Sequence, residues 1–127
     1  MITVIWDNPD KTAIRQDFSG ELLYHEMDQA QQDIVDLLDS VSHPVTLFMV
    51  LGADLRFTGD VVSRFPKMAR APMMTHENLA EIIMVGARGL AATMVDIFLR
   101  VYPPQMIRMS QATSLEDARN KIAARGK

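Results

Sequence analysis

The chain has 127 residues, of which 48% are hydrophobic and 23% are charged. This length and balance are typical of one globular domain over residues 1–127 and exclude a disordered chain. The net charge of −3 argues against nucleic acid or an anionic lipid surface as a partner, because an acidic protein attracts neither.

The chain contains no cysteine, which excludes disulfides, thiolate nucleophiles and cysteine metal sites. Its first residues, MITVIWDNPDK, lack the basic and then apolar layout of a signal peptide. No apolar run approaches the ~20 residues that a membrane-spanning helix needs. The sequence therefore predicts a cytoplasmic protein without a membrane span.

Two strands joined as a hairpin are predicted first. Residues 1–6 are rich in β-branched side chains, and residues 12–18 alternate between two sets of side chains. The segment between them, DNPD at residues 7–10, is dense in turn-forming residues. Exposed apolar residues on this hairpin, with Trp6 as a candidate, predict a homodimer.

A long amphipathic helix is predicted next. Ser19 is expected to cap it, and Glu21 is expected to lie in its positively polarised first turn. Pro44 ends it, because the residue before a proline avoids the helical region. Apolar residues recur at steps of three or four, as expected for one buried face: Leu23, Met27, Ala30, Ile34, Leu37 or Leu38, and Val41.

The next seven residues, Val45–Leu51, are all apolar or β-branched. A run of this kind is typical of a strand covered on both faces, as in a parallel sheet between helices. A turn over residues 52–58 follows, and a helix is predicted from Gly59, with Pro66 interrupting it. Residues 70–78 show no period and are interpreted as a loop.

Leu79–Val85 is predicted as a second buried strand, followed by a helix over residues 88–101. A short strand is predicted over residues 105–110. Ser114 and Asp117 then resemble a capping box that opens a final helix. This order, β-β-α-β-α-β-α-β-α, predicts an α/β fold: a mixed, mostly parallel five-stranded sheet flanked by about four helices.

Two stretches, LLDSVSHPVTLFMVLGADLRFTGDVVSRF and IIMVGARGLAATMVDIFLRVYPP, carry a resemblance to a known family. Together with the element order, which covers nearly the whole chain, they resemble the STAS domain superfamily and its SpoIIAA-like bacterial members. The resemblance implies a non-enzymatic regulatory or protein-interaction module whose protein partner is a kinase or another regulator. The chain also resembles the Sec14-like branch of the same superfamily, which implies the alternative, a carrier of a small apolar molecule or lipid.

Signalling STAS domains carry an Asp-Ser-Ser-Gly signature in the turn after the third strand, and the serine before the glycine is phosphorylated. Thr58 and Gly59 match the last two positions, whereas Arg56 and Phe57 depart from the acid and the first serine. Asp54 is the carboxylate of this turn. Two interpretations stay open: Thr58 caps the following helix, or it accepts a phosphoryl group or an anion beside Arg56.

Gly86, Arg88 and Gly89 form a second candidate turn, for binding an anion. In a parallel sheet, this strand-to-helix junction shares an edge with Thr58, and ligands of open α/β sheets bind at that edge. Arg88 is a candidate to hold a carboxylate or phosphate. The sequence GARG is neither a P-loop nor a dinucleotide fingerprint, so a tight turn with a solvent-facing arginine is the alternative.

No catalytic or metal-binding pattern is present in the sequence. The three histidines (His25, His43 and His76) lack a metal-ligand spacing, and no nucleophile elbow or paired carboxylates occur. The sequence therefore predicts no enzyme activity, no metal and no cofactor. Met73 and Met74 are interpreted either as core-filling residues or as a lid over an apolar ligand beside the helix that begins at Gly59.

Overall fold

The computed structural model describes residues 1–56, 70–88 and 108–125, and positions 63, 64, 66, 67, 92, 93, 96 and 100 between them. This part of the chain forms an α/β fold around one mixed, five-stranded sheet. The predicted α/β class and the five strands are confirmed.

The strands lie in the sheet in the same order as in the chain. They are β1 (Ile2–Trp6), β2 (Ala13–Phe18), β3 (Val45–Leu51), β4 (Leu79–Val85) and β5 (Arg108–Ala112). The pairing of β1 with β2 is antiparallel, and the pairings β2–β3, β3–β4 and β4–β5 are parallel. The predicted bounds of β3 and β4 are confirmed, and β5 continues to Ala112, two residues beyond its predicted end.

The described residues contain two α-helices, α1 (Tyr24–Asp39) and α2 (Leu115–Arg125), where about four were predicted. The other two predicted helices, over residues 59–69 and 88–101, lie mostly outside the described residues. The predicted loop over residues 70–78 contains a short 3-10 helix, Pro72–Thr75. Of the predicted fifth strand, residues 105–107 also lie outside the described part.

The sheet separates two apolar clusters, because successive side chains of a strand point to opposite faces. On one face, Ile14, Leu47 and Ile82 pack with Ile34 and Leu38 of α1. The other face carries the cluster of α2, which contains Ala13, Phe48, Ile83, Val85, Ala112 and Ala118. Each cluster excludes water from one side of the central strands.

The predicted start of α1 is wrong. Ser19 caps no helix, because α1 begins five residues later at Tyr24. The Ser19 N–H donates to the carbonyl oxygen of Met1 (2.9 Å), and Gly20 has a φ of 66°. The helix begins after Leu23, which provides no side-chain cap and is 38% exposed rather than inward-facing. Glu21 instead makes a β-bridge with the segment that follows β3.

The predicted capping box of α2 is present in a modified form. The Ser114 hydroxyl accepts a hydrogen bond from the Asp117 N–H (3.0 Å), as a helix cap does. The Asp117 carboxylate accepts from the N–H of Thr113 (3.1 Å), one residue further back than in the standard box. Both side chains therefore fix the point at which the chain leaves β5.

Asn78 connects the end of α1 to the first residues of β3 and β4. Its side-chain nitrogen donates to the carbonyl oxygens of Leu38 (3.0 Å) and Val41 (2.9 Å). Its own carbonyl oxygen accepts from the N–H of Val45 (2.7 Å). The last carbonyls of a helix have no partner within the helix, so Asn78 supplies donors that α1 itself lacks.

His76 fixes Asn78 from the other side. Its Nδ1 accepts from the Asn78 N–H (3.0 Å), so the ring proton lies on Nε2 and is donated to the Asp39 carboxylate (2.7 Å). This long-range pair closes the loop before β4 onto the last residue of α1.

An ion pair joins the β1–β2 turn to α2. Arg119 donates to both carboxylate oxygens of Asp7, with distances of 2.9 Å from Nε and 2.6 Å from Nη2. The Asp7 side chain is only 6% exposed. The hydrogen bond to Asp7 raises the pKa of Arg119 above its ordinary value, which is the direction expected when a neighbouring group favours the charged form.

Candidate functional site

The turn after β3 is bound to the end of β2 by backbone hydrogen bonds. The Gly52 N–H donates to the Phe18 carbonyl oxygen (2.8 Å), and the Arg56 N–H donates to that of Gly20 (2.8 Å). The Arg56 carbonyl oxygen accepts in turn from the N–H of Leu22 (2.9 Å). These bonds extend the β2–β3 pairing past the last strand residues, so the backbone of the turn is fixed by the sheet.

Gly52 is required by a close approach of two backbones. A Cβ atom at this position would lie 2.6 Å from the Phe18 carbonyl oxygen and 3.1 Å from Oδ1 of Asp54. The next bond, from the Leu55 N–H to the Gly52 carbonyl oxygen (3.1 Å), closes the turn. Asp54 and Arg56 are both exposed on this hydrogen-bonded turn.

The second candidate turn, after β4, lies beside the end of β3. Gly86 has a φ of 76°, and its N–H donates to the Ala112 carbonyl oxygen (3.0 Å). A Cβ at Gly86 would lie 3.4 Å from the carbonyl oxygen of Leu51. Arg88 is exposed, and its carbonyl oxygen accepts from the N–H of Ala92 (3.3 Å).

Both turns lie at the carboxyl edge of the sheet. Val50 pairs with Val85 in the parallel β3–β4 register, so the residues that follow both strands emerge on the same side. Within the described residues, Asp54, Arg56 and Arg88 form no ion pair with one another. The three charges are therefore exposed at one edge without neutralising each other.

Three of the predicted site residues, Thr58, Gly59 and Gly89, lie outside the described residues. The structure therefore describes Asp54 and Arg56 of the first turn and Gly86 and Arg88 of the second.

The segment after β2 belongs to the same edge, although the sequence analysis assigned it to a helix start. Gly20 and Leu22 hold the backbone of Arg56 through its N–H and its carbonyl oxygen. The residue type of Gly20 was the available signal, because glycine favours turns, and its φ in the structure is 66°.

A groove of about 710 Å³ lies between α1 and the later residues Lys67, Arg70, Ala71 and Pro72, and it was not predicted from the sequence. We call it the α1 groove. Its lining residues are Tyr24, His25, Met27, Asp28, Gln29, Gln31, Gln32, Val35, Lys67, Arg70, Ala71 and Pro72. Residues more than 30 positions apart in the chain form its two walls, and no local pattern in the sequence reveals such a pairing.

Two cations share the aromatic ring of Tyr24 at one end of the α1 groove. Cζ of Arg64 lies 3.8 Å and Nζ of Lys67 lies 5.2 Å from the ring centroid, both within the range of a cation–π contact. The pKa of Lys67 is raised, chiefly by its hydrogen bond to Tyr24, while the neighbouring charge of Arg64 acts in the opposite direction.

The two methionines proposed as a lid do not form one. Met73 is 3% exposed and belongs to the cluster under α1, and Met74 packs against the same cluster. The core-filling interpretation describes their positions. The lining of the α1 groove includes neither residue.

Across the described residues, no three side chains of the histidine, cysteine or carboxylate type come together as a metal site. Among the same residues, no helix is both long and apolar enough to cross a membrane. The chain matches no protein-family model, no curated protein and no solved structure.

Proposed function

We propose that the chain is a non-enzymatic regulatory or protein-interaction module of the STAS kind, acting in the bacterial cytoplasm. In this proposal, residues 52–59 and 86–89 form the surface that contacts a kinase or another regulator. The proposal includes the finer fold of that family: a single domain with a mostly parallel sheet flanked by about four helices.

The observation that carries the proposal is the backbone-bonded turn after β3. A surface that is already ordered loses little conformational entropy on binding, which favours recognition by a protein partner. Asp54 and Arg56 present opposite charges on this turn, and Arg88 lies on the neighbouring turn. Charges at the rim of an interface set partner choice and the rate of association.

Charge reversal at Asp54 tests this surface. The partner is first isolated by affinity purification and identified by mass spectrometry, and its Kd is then measured by titration. Asp54→Lys should weaken binding about tenfold, because an exposed interface charge is reversed. The matched control is Asp10→Lys, which makes the same change at an exposed residue of the β1–β2 turn. Equal affinities of wild type, Asp54→Lys and Asp10→Lys would contradict the proposed surface.

Phosphorylation of Thr58 is proposed as the regulatory event. A phosphate on Thr58 would precede the predicted helix, whose dipole would stabilise the negative charge. A neighbouring arginine such as Arg56 can form an ion pair with it. Incubation with host lysate and ATP, followed by mass spectrometry, should show phosphate on Thr58. Modification only at other residues would remove this part of the proposal.

A homodimer is proposed through the edge strand β1. Ile5 is 55% and Met1 is 67% exposed on this edge, whereas Trp6, the residue named from the sequence, packs against the cluster under α1. Light scattering of the purified chain should give twice the monomer mass. A monomer mass at all working concentrations would argue against pairing through β1.

The second candidate function is a carrier of a small apolar molecule, and the α1 groove favours it. Its volume of about 710 Å³ lies within the range of small-molecule sites, and Met27, Val35, Ala71 and Pro72 supply apolar walls. A carrier should retain its ligand through purification, so organic extraction and mass spectrometry would detect it. A regulator instead retains a protein.

A further inference from the structure

We propose that the α1 groove binds a small organic anion, that is, a molecule with an aromatic or apolar body, one acidic group and a hydrogen-bond donor. This inference rests on the proposed carrier function and narrows its ligand from an apolar molecule to an anionic amphiphile. The acidic group is a carboxylate, sulfonate or phosphate held by Lys67 and Arg70, the two cations of the groove lining.

The charge of the groove differs in sign from that of the whole protein. The chain has a net charge of −3, whereas the lining of the groove contains two cations, Lys67 and Arg70, against one carboxylate, Asp28. Within the described part of the chain, the Arg70 side chain forms no ion pair. A local excess of positive charge on an acidic protein attracts anions to that place.

Two cations lie close together at the ring of Tyr24. Arg64 and Lys67 both lie over the same ring, at 3.8 Å and 5.2 Å from its centroid, so their charges repel each other. Their stems approach one ring because each gains a cation–π contact there. An anion beside Lys67 would oppose this repulsion, as the Asp28 carboxylate of the groove lining also does.

The side chain of Gln31 has an acceptor that is unpaired in the described part of the chain, and the ligand is therefore expected to carry a hydrogen-bond donor. Its Oε1 is buried, yet within the described residues it accepts no hydrogen bond. Leaving a buried acceptor unpaired is unfavourable. A rotation of this side chain into the groove, whose wall it forms, would let Oε1 accept from an N–H or O–H of the ligand.

The apolar part of the ligand would lie between the two walls of the α1 groove. Met27 and Val35 line the groove from α1, and Ala71 and Pro72 line it from the opposite side. Small-molecule sites combine such apolar walls with a few polar groups that fix orientation. The same arrangement occurs here, with the cations as the orienting groups.

Two fluorescent probes with the same body test the inference. One is 8-anilinonaphthalene-1-sulfonate, and the other is the neutral N-phenyl-1-naphthylamine, which has the same rings and the same anilino N–H but no sulfonate. Titration of the full chain should give saturable binding of one molecule of the sulfonate, with a lower Kd than for the neutral probe. Added salt should weaken binding of the sulfonate but not of the neutral probe, because salt screens exposed charges.

Charge-removing variants locate the site. Arg70→Gln should raise the Kd of the sulfonate about fivefold, the effect of one exposed charge close to an anion, and should leave the neutral probe unchanged. Lys67→Gln combined with Arg70→Gln should raise it roughly tenfold or more. The matched control is Lys11→Gln, which removes one cation from the β1–β2 turn, outside the groove lining. Circular dichroism of each variant verifies that it is folded.

Each outcome decides the proposal. The proposal is supported if the wild type binds the sulfonate more tightly than the neutral probe, if Arg70→Gln loses this preference, and if Lys11→Gln retains it. Equal or tighter binding of the neutral probe, or a sulfonate Kd unaffected by Arg70→Gln, overturns the anionic ligand and leaves an apolar carrier. Failure of both probes to bind saturably overturns the carrier function as well.

Discussion

Replacing Asn78 by aspartate should lower the free energy of unfolding by about 3 kcal/mol, because two hydrogen bonds to half-buried carbonyl groups are lost together. The Asn78 nitrogen donates to Leu38 and Val41 at the end of α1. An aspartate has the same shape but places an oxygen there, so the carbonyl oxygens would face a carboxylate instead of a donor. Urea unfolding followed by far-ultraviolet circular dichroism measures the change through its midpoint, with the slope unchanged.

Asn8 offers a matched control for the same chemical change. Its side-chain oxygen accepts from the N–H groups of Thr12 (3.0 Å) and Ala13 (3.3 Å), and an aspartate keeps that acceptor. Its side-chain nitrogen donates to the exposed Thr12 hydroxyl (2.7 Å), and in the aspartate variant this hydroxyl can rotate and donate to the carboxylate instead. Asn8→Asp should therefore change the free energy of unfolding by no more than about 0.5 kcal/mol. If both variants lost equal stability, the role assigned to the Asn78 donor would be wrong.

The second large effect is expected at the candidate interaction surface itself. Gly52→Ala should destabilise the fold by about 2 kcal/mol, because the new Cβ would lie 2.6 Å from the backbone oxygen of Phe18. This oxygen also accepts the Gly52 N–H, so relief of the collision would lengthen the bond that joins the ends of β2 and β3. The displaced turn carries Asp54 and Arg56, and binding of a protein partner should weaken in the same variant.

Gly20→Asn separates a steric collision from the general cost of replacing a glycine. Gly20 has a φ of 66°, and a Cβ built there meets nothing within 4 Å. Asparagine tolerates this backbone conformation, so we expect a loss of about 1 kcal/mol or less. Thermal unfolding of the two variants should rank Gly52→Ala as the less stable. The reverse order would show that the approach to Phe18 is not the limiting contact.

The central strands could be predicted from the sequence because their signal is local. Val45–Leu51 and Leu79–Val85 are apolar runs bounded by turn-forming residues, and their bounds agree with the structure. The cap of α2 was recognisable for the same reason, since Ser114 and Asp117 bond within a few residues of each other. Propensity and pattern are sufficient where the partner is close in sequence.

Elements fixed by distant partners were predicted less well. Ser19 and Glu21 resemble a helix start, but backbone groups of Met1 and of the segment after β3 bond to this stretch instead. The end of β5 was placed too early because the bond that holds its last residue, Ala112, comes from Gly86. Tertiary bonds of this kind override local preference.

One part of the candidate site could be predicted from the sequence and another could not, for the same reason. Its edge was predictable, because the carboxyl ends of parallel strands coincide, and Gly86 and Leu51 do lie side by side. The α1 groove was not, since Tyr24 and Lys67 are far apart in sequence and neither residue belongs to a motif. The bridging role of Asn78 also escaped prediction, because an asparagine before a strand is an ordinary turn residue.

The strand order has a consequence for how the chain folds as it is synthesised. Because each strand lies beside its predecessor, the sheet can grow by adding one strand at a time as the chain leaves the ribosome. Among the described strands, none has to insert between two that are already paired. The pair between Asp7 and Arg119 is the exception, since 112 positions separate its members. The ion pair of the β1–β2 turn therefore forms only after α2 has been synthesised, and its formation is a late step of folding.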